Sequence, residues 1–221
     1  MFLFFQGGST NEIIISAIAF ISVILFSLSI HEYGHAYMAY KQGDDTAKHL
    51  GRLTLNPLKH LDPIGFLMLM IIGFGYAKPV PINPSKFKNY KSGMIKVSLA
   101  GIVLNLIFFL FFIILAALLY SNIIVFNEFS SIGFFIENII IYGSIINFML
   151  AFFNLIPLYP LDGYNLTKTI LNDNYNYVRF NQAYGTILLL LFFVFNIFGY
   201  ILNLAFQNIY VPILEFIMGL L

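Results

Sequence analysis

The feature that most constrains this chain is a group of ionisable residues inside an apolar run. The run extends from about residue 13 to residue 40, and Glu32 is its only carboxylate, flanked by His31 and His35. A charged side chain inside hydrocarbon costs on the order of 3 kcal/mol on insertion scales. The cluster therefore needs compensating partners or a function, and a bound metal ion would satisfy both needs.

The spacing of these residues indicates which metal chemistry they could support. Residues four apart stack on one face of an α-helix, so His31 and His35 could present two imidazole nitrogens to one ion. Glu32 would lie about 100° around the helix axis, within reach of a water molecule on the metal. This is the HExxH arrangement, in which zinc lowers the pKa of water and the glutamate is the general base. A chance match is the alternative, but it leaves three polar residues in an apolar span without a reason.

Composition restricts the class of protein and the possible ligands. Of 221 residues, 60% are hydrophobic and only 10% are charged, which indicates an integral membrane protein in contact with a lipid bilayer. The net charge is +1 and no basic run is present, so nothing points to nucleic acid as a partner. Without cysteine the chain cannot form a thiolate zinc site, which leaves histidine and carboxylate as ligands.

The apolar runs predict an all-α polytopic membrane protein with about four long transmembrane helices. After the first run, spanning helices are expected at residues 97–126, 132–155 and 184–203. The tail at residues 207–221 is broken by Pro212 and is expected to lie at the interface or to insert partway. We expect residues 1–221 to form a single membrane domain with its core at residues 13–172.

Two shorter segments are predicted to lie near the histidine cluster. The apolar stretch at residues 63–76 is shorter than the about 20 residues that a spanning helix needs, which favours a re-entrant or partly inserted segment. Residues 51–57 alternate polar and apolar side chains before Pro57, which predicts a small extended strand. The edge of such a strand could hold an extended substrate.

The distribution of basic residues predicts the orientation. Every Lys and Arg falls within residues 41–62, 78–96 and 168–179, whereas the amino terminus, the 127–131 link and the tail have none. By the positive-inside rule those three segments face the cytoplasm and the amino terminus lies outside. The segment between the first two must then enter and leave through the same face. The histidine cluster would lie toward the cytoplasm.

A catalytic zinc usually has three protein ligands, so the two histidines need a third. Asp162 is the natural candidate, because it follows Pro157 and Pro160 at the cytoplasmic end of a predicted span. The prolines would break that helix and let the carboxylate turn inward. The alternative is that Asp162 is the N-cap of a short helix at residues 163–171.

Two motifs together resemble the site-2 protease family of intramembrane zinc metalloproteases, in its compact prokaryotic branch without a PDZ domain. One is His31-Glu32-Tyr33-Gly34-His35, and the other is the stretch Asn154-Leu155-Ile156-Pro157-Leu158-Tyr159-Pro160-Leu161-Asp162-Gly163. The family pairs an HExxH helix with a later segment of the type Asn-x-x-Pro-x-x-Pro-Leu-Asp-Gly. The likeness covers most of residues 25–170, including segments 51–57 and 77–84.

The resemblance implies a role for each residue. One zinc ion per chain would be held by His31, His35 and Asp162, with Glu32 as the catalytic base and Asn154 as a substrate-positioning group. It also implies a location in the plasma or inner membrane of a prokaryotic cell, with the active site toward the cytoplasm.

The chain departs from the family pattern after the short inserted segment. The family often has Gly-Pro followed by Asn, whereas here Gly101 is followed by Ile102. Asn105 still stands where that Asn would be, and we expect it to bind substrate or assist the developing oxyanion. His49 and His60 lie in polar segments and are expected to take no part in metal binding, with gating of the site as the alternative.

Three functions compete at this point. The leading hypothesis is an endopeptidase that cuts a transmembrane segment of a partner protein near the cytoplasmic face. The alternative is a membrane zinc transporter or metal-binding channel, and a third is an inactive homologue that binds membrane helices. Glu32 separates the first two, since a transport site uses its carboxylates as ligands and a hydrolase needs an unligated one.

Overall fold

A computed structural model describes residues 8–72, 75–126 and 130–221 of the chain, and their regular structure is helical. Four longer helices are α1 (Thr10–Gln42), α5 (Tyr90–Tyr120), α6 (Ser131–Asn154) and α8 (Tyr175–Val194). Shorter helices are α2 (Thr46–His49), α3 (Pro57–His60), α4 (Pro63–Ile72) and α7 (Asp162–Ile170). The chain ends with α9 (Ile197–Ala205), a π-helical turn (Phe206–Tyr210) and α10 (Val211–Met218). Most of the predicted 127–131 link lies outside the described residues.

Helices α1, α5 and α6 pack against one another and form the centre of the bundle. Glycines allow the close approach: a Cβ on Gly34 of α1 would lie 2.9 Å from the Ala100 carbonyl oxygen of α5. A Cβ on Gly143 of α6 would lie 2.6 Å from the Phe112 ring of α5. Small residues at such crossings let helix backbones pack tightly where the hydrophobic effect is absent.

The ends of α1 follow from the local sequence. Ser9 and Glu12 form a capping box, in which each side chain accepts a hydrogen bond from the other residue's backbone N–H. At the other end Gly43 has φ 108, the left-handed conformation that terminates helices and that glycine adopts without strain. Between these two ends α1 has 33 residues, and His31 and His35 lie in its second half.

In the part of the chain that the structure describes, five helical segments are long and apolar enough to cross a membrane, where the sequence predicted about four. The predicted span at residues 184–203 is divided at Asn196 between Tyr175–Val194 and Ile197–Met218, and the second segment includes most of the tail that was expected to lie at the interface or to insert partway. The chain breaks at Asn196, which has φ 53, because asparagine tolerates the left-handed conformation. Pro212 does not end the segment. A π-helical turn precedes it, and Pro212 lies in the first turn of α10, where a missing N–H and the proline ring are tolerated.

This last segment packs along α6 in the opposite direction. Phe198 contacts Phe153 near the end of α6, with ring centroids 5.1 Å apart. Farther along, the Tyr210 hydroxyl lies 2.7 Å from the Ser144 hydroxyl. The segment therefore starts beside the end of α6 from which Asp162 follows and runs away from it.

Helix α4 does not cross the bundle. Its 10 residues span about 15 Å, half the thickness of a hydrocarbon core. The Lys78 N–H donates a hydrogen bond to the His60 carbonyl at 2.8 Å. The residues just before and just after the inserted segment are therefore in contact. The structure agrees with the predicted re-entrant or partly inserted segment.

The predicted strand at residues 51–57 was wrong, and no strand occurs elsewhere in the described part of the chain. Gly51 turns the backbone with φ 65, and Asn56 caps α3, which begins at Pro57. A strand needs a neighbour that pairs its backbone groups, and residues 51–57 form no such ladder with any described segment. Instead, the Arg52 side chain donates to the Lys78 carbonyl oxygen at 2.6 Å.

Candidate metal centre

Three side chains from two parts of the chain converge at one point. The His31 and His35 Nε2 atoms are 3.0 Å apart, and the Asp162 Oδ2 atom lies 3.0 Å from the first and 3.1 Å from the second. Among the residues that the structure describes, this is the group of His and acidic side chains whose ligand atoms cluster closely enough to hold an ion. The structure brings the three predicted ligands together.

The second nitrogen of each histidine fixes its tautomer. The His31 Nδ1 atom lies 2.7 Å from the Asn105 Oδ1 atom, and the His35 Nδ1 atom lies 2.7 Å from the Val97 carbonyl oxygen. Since both oxygens accept, each Nδ1 carries the proton and each neutral Nε2 presents a lone pair. A second hydrogen bond of this kind is what orients histidine as a metal ligand.

The convergence of three lone pairs is unfavourable unless a cation lies between them. The Asp162 Oδ2 atom is buried and has no well-oriented hydrogen-bond donor in the described part of the chain. The edges of 3.0–3.1 Å are close to the about 3.3 Å expected for ligands around tetrahedral zinc. Two imidazoles and one carboxylate are also a donor set that zinc prefers. The residues present therefore fit one zinc ion.

Asp162 reaches this point because the chain turns sharply after α6. Asp162 is the first residue of α7, while Leu161 is the N-cap and makes no side-chain cap bond. The alternative prediction, in which Asp162 is the N-cap, is therefore wrong. Gly163 is required next to it, because a Cβ there would lie 2.4 Å from the Leu155 and Ile156 carbonyl oxygens.

Gly101 is a site residue whose importance the sequence did not reveal. A Cβ on Gly101 would lie 2.6 Å from the His31 ring and 2.7 Å from the His35 Nε2 atom. Helix α5 therefore passes directly behind both ligands, and any side chain at this position would displace them. The family pattern includes this glycine, but the sequence could not show what packs against it.

Glu32 stands apart from the three ligands. Its Oε2 atom accepts a hydrogen bond of 2.8 Å from the Val80 N–H. Val80 belongs to the 77–83 strap, an irregular segment that crosses over this face of α1. Arg52 holds one part of the strap at Lys78, and the Asp44 carboxylate accepts from the Asn83 N–H at 2.6 Å. No sequence pattern predicted this contact, because it joins two segments that are 48 residues apart in the chain.

The structure places Asn105 behind His31. Its side chain is fully buried, and its amide nitrogen donates to the Asn147 Oδ1 atom at 2.9 Å and to the Ser27 carbonyl oxygen at 3.3 Å. With His31 on its oxygen, the side chain has partners on both atoms. Asn154, the last residue of α6, donates to the Leu150 carbonyl at 3.0 Å, and within the described residues no hydrogen bond joins it to His31, His35 or Asp162.

The two remaining histidines lie outside the ligand group. His49 is exposed and its Nε2 atom lies 2.8 Å from the Asp45 carboxylate. His60 is 2% exposed, and its Nε2 atom lies 2.8 Å from the Thr54 carbonyl oxygen. Neither side chain belongs to the group that could hold a metal.

The fold and the site define a class of protein, a polytopic membrane zinc metalloprotease. Residues 19–197 match the model of peptidase family M50. The chain belongs to this family, which includes the site-2 proteases.

Relatives in bacteria and an archaeon bear zinc metalloprotease names. The chain is 40% identical over 186 residues to YwhC of Bacillus subtilis, covering 81% of each protein. It is 30% identical over 155 residues to Rip2 of Mycolicibacterium smegmatis, covering 67% of this chain and 55% of that protein. YwhC and Rip2 are each named "Putative zinc metalloprotease". A third, "Zinc metalloprotease MJ0392" of Methanocaldococcus jannaschii, is 28% identical over 169 residues, which is 76% of this chain and 39% of that protein. No solved structure gave a significant match.

Proposed function

We propose that this chain is an intramembrane zinc endopeptidase that cuts a transmembrane segment of a partner protein near the cytoplasmic face. The observation that carries the proposal is the separation of roles on α1. His31, His35 and Asp162 point at one position, while the Glu32 carboxylate lies beside them and makes no contact with the ligand atoms. A hydrolase needs such a free carboxylate next to its metal.

The residues of the chain divide the chemistry in a simple way. His31, His35 and Asp162 hold the metal, and bound zinc supplies the Lewis acidity that makes water nucleophilic and polarises a peptide carbonyl. Glu32 accepts the proton that water loses and delivers it to the amine nitrogen that leaves. The Val80 N–H holds one carboxylate oxygen of Glu32, which leaves the other free for this transfer.

We assign different tasks to the two asparagines. Asn105 is buried and bonded to the His31 Nδ1 atom, so we propose that it orients this ligand rather than binding substrate. Asn154 is partly buried at the end of α6, and its side-chain oxygen accepts no hydrogen bond from the described residues. We propose, as the resemblance implies, that it positions the unwound backbone of the substrate.

The transporter alternative finds less support. A transport site uses its carboxylates as ligands, but Glu32 faces the backbone of the strap rather than the ligand group. An inactive homologue would tolerate loss of the base, whereas here every residue of the proposed machinery is present. Both alternatives remain outcomes of the experiment below.

The test compares purified wild type with Glu32→Gln in liposomes that contain a membrane-spanning test substrate. Zinc content and cleavage are measured together, and Glu215→Gln, an exposed site on α10, is the matched control. We expect full zinc and no cleavage in Glu32→Gln, and normal values for both in the control. Zinc loss in Glu32→Gln would favour transport, and absence of cleavage in wild type would favour an inactive homologue.

The proposed location is the inner membrane of a prokaryotic cell, with residues 1–221 forming one domain whose metal centre faces the cytoplasm. This orientation is supported by the basic residues of segments 41–62 and 78–96 and by the hydrogen bond that joins their ends. Cysteines introduced at Thr54 and Ser85 should both be labelled from the cytoplasmic side, and one at Asn122 from the other side. Labelling of Thr54 and Ser85 from opposite sides would contradict the proposal.

A further inference from the structure

A cavity of about 250 Å³ lies between α1, α6, α4 and the carboxy-terminal helices. Its walls are almost entirely apolar, with aromatic rings on several sides. An apolar cavity of about 150 Å³ is enough to hold benzene, so this one has room for a large side chain. Nothing assigned above uses this space.

Two segments of the cavity wall, one on α1 and one at the start of the strap, continue along the chain to residues of the site. Leu25, Leu28 and Ser29 line the cavity, and on a helix they lie on the face that Glu32 continues one turn later. Ala77 also lines it, three residues before Val80, whose N–H binds the Glu32 carboxylate. The cavity therefore lies along the face of α1 that continues to Glu32, and its wall includes the start of the segment whose Val80 N–H binds the Glu32 carboxylate.

One polar side chain in the cavity wall, His60, has a hydrogen-bonding atom without a partner in the described part of the chain. Its Nε2 atom faces the Thr54 carbonyl, which can only accept, so Nε2 carries the proton and Nδ1 is left as an acceptor. Nδ1 is buried and has no hydrogen-bond partner among the described residues. His60 also lines the cavity. Buried acceptors without a donor are rare in folded proteins, and each one calls for an explanation.

We propose that the cavity is the binding subsite for a large apolar side chain next to the scissile bond, and that His60 Nδ1 accepts a hydrogen bond from the substrate backbone there. This inference rests on the proposed function and names the feature of the substrate that the site recognises. A transmembrane helix that unwinds for cleavage exposes N–H groups in a medium without water, and each needs an acceptor. A lipid acyl chain would fill the apolar walls but has no donor for His60.

The position of His60 supports this role. Its own carbonyl oxygen accepts from the Lys78 N–H of the strap, two residues before the Val80 N–H that holds Glu32. Two backbone N–H groups of the strap therefore bond to His60 and to the base, one to the His60 carbonyl oxygen and one to the Glu32 carboxylate. This places His60 and Glu32 against the same short segment, which is the arrangement that the proposed subsite requires.

Two substitutions at His60 separate substrate binding from a structural role. His60→Gln retains a donor that can reach the Thr54 carbonyl but removes the acceptor at Nδ1. His60→Asn does the reverse, because its Oδ1 atom replaces Nδ1 and the donor to Thr54 is lost. We expect kcat/KM to fall about 10-fold in His60→Gln and to change much less in His60→Asn, with zinc content unchanged in both. A merely structural histidine would give the opposite order.

A backbone substitution in the substrate tests the hydrogen bond itself. In a synthetic membrane-spanning peptide, single peptide N–H groups near the cleavage site are replaced by ester oxygens. At one position the ester should lower kcat/KM about 10-fold for wild type and have no further effect on His60→Gln, because the bond is already lost. Equal ester effects in both proteins at every position would overturn the proposal.

The cavity is tested by filling it. Leu69→Trp places a larger side chain in the wall, whereas Leu67→Trp makes the same change at an exposed position of α4 that does not line the cavity. We expect Leu69→Trp alone to lower cleavage of peptides with Phe at the docking residue about 10-fold, and to spare peptides with Ala there. Identical effects on the Phe and Ala peptides would overturn the proposal.

Binding of the same peptides to the Glu32→Gln protein is measured in parallel. It distinguishes failure of this inference from failure of the proposed function. If wild type cuts no peptide, the proposed function fails, while dependence of binding on His60 and on the Phe side chain still supports the subsite. The subsite proposal would be overturned by peptide binding that depends on neither His60 nor the Phe side chain. It would also be overturned by an acyl chain that occupies the cavity and is not displaced by peptide.

Discussion

Two faces of the same helix, α1, are built in opposite ways. On the face toward α5, His31 and His35 are buried and each Nδ1 has a fixed partner at 2.7 Å. On the other face, Glu32 is partly exposed and is held by one backbone N–H from the 77–83 strap. A cavity with an unsatisfied acceptor on His60 adjoins that face.

The difference shows what each half of such a site requires. A metal is held well when its ligands cannot rotate, and this favours burial, close helix packing and a second hydrogen bond for each ring. A base must release a proton and meet a substrate, and this favours partial exposure and neighbours that leave room. Changes on the α5 face should therefore alter metal binding, and changes on the Glu32 face should alter turnover.

The largest expected effect separates Glu32 from Asp162. Glu32→Gln removes the base at nearly constant size, so cleavage should fall by roughly 100-fold or more while zinc stays bound. Asp162→Asn replaces an anionic ligand by a neutral amide, so zinc itself should be held more weakly. Metal analysis and cleavage of a membrane-spanning peptide measure both. Equal zinc loss in the two variants would remove the distinction between the faces.

Gly101→Ala tests the packing behind the ligands. Its Cβ would collide with the His31 and His35 rings at 2.6–2.7 Å, so we expect zinc affinity to fall about 10- to 100-fold. Gly219→Ala is the control, because a Cβ there would lie 3.4 Å from the Glu215 carbonyl oxygen, an ordinary contact. Zinc titration of both variants is the measurement. Normal affinity in Gly101→Ala would mean that α5 does not fix the ligands.

Asn105→Ala removes the acceptor of the His31 Nδ1 proton and leaves Asn147 without one of its donors. We expect about 10-fold weaker zinc binding and a matching loss of cleavage that excess zinc largely restores. Asn208→Ala, an exposed residue of the π-helical turn, is the matched control. Unchanged zinc affinity with lower kcat would instead return Asn105 to the substrate-binding role that the sequence predicted.

The smallest effect is expected just beyond the strap, where Lys86 contacts Asp45. Lys86 and His49 lower the pKa of the Asp45 carboxyl to about 2, so this carboxyl is charged in the folded chain at every pH well above that value. Its contribution to stability is present above the unfolded pKa of 3.8 and is lost as the pH falls through about 2. Lys86→Ala should therefore lower thermal stability slightly and by the same amount from pH 8 to pH 5. Lys88→Ala is the control, and a difference that grows with pH in this range would contradict the assignment.

The helical class and the pairing of His31 with His35 could be predicted from the sequence because both depend on local patterns, whereas Asp162 as the third candidate ligand was indicated by the prolines before it and by the family resemblance. Apolar length indicates a membrane helix, and the spacing of His31 and His35 fixes their common face whatever surrounds them. The boundaries after residue 170 could not be predicted in this way. The break depends on the conformation of Asn196, and Pro212 is accommodated by a π-helical turn that no hydropathy pattern indicates.

The sequence by itself determined that this is a polytopic membrane protein and that His31, Glu32, His35 and Asp162 are its candidate reactive residues. Composition and short-range spacing carry this information because membrane burial and helical periodicity act within single segments. The tertiary structure decided that Gly101 and Asn105 lie against the candidate ligands, that the Val80 N–H bonds to Glu32, and that His60 lines an apolar cavity. These contacts join residues far apart in the chain, and only the packing of α1, α5, the strap and α6 sets which of them meet.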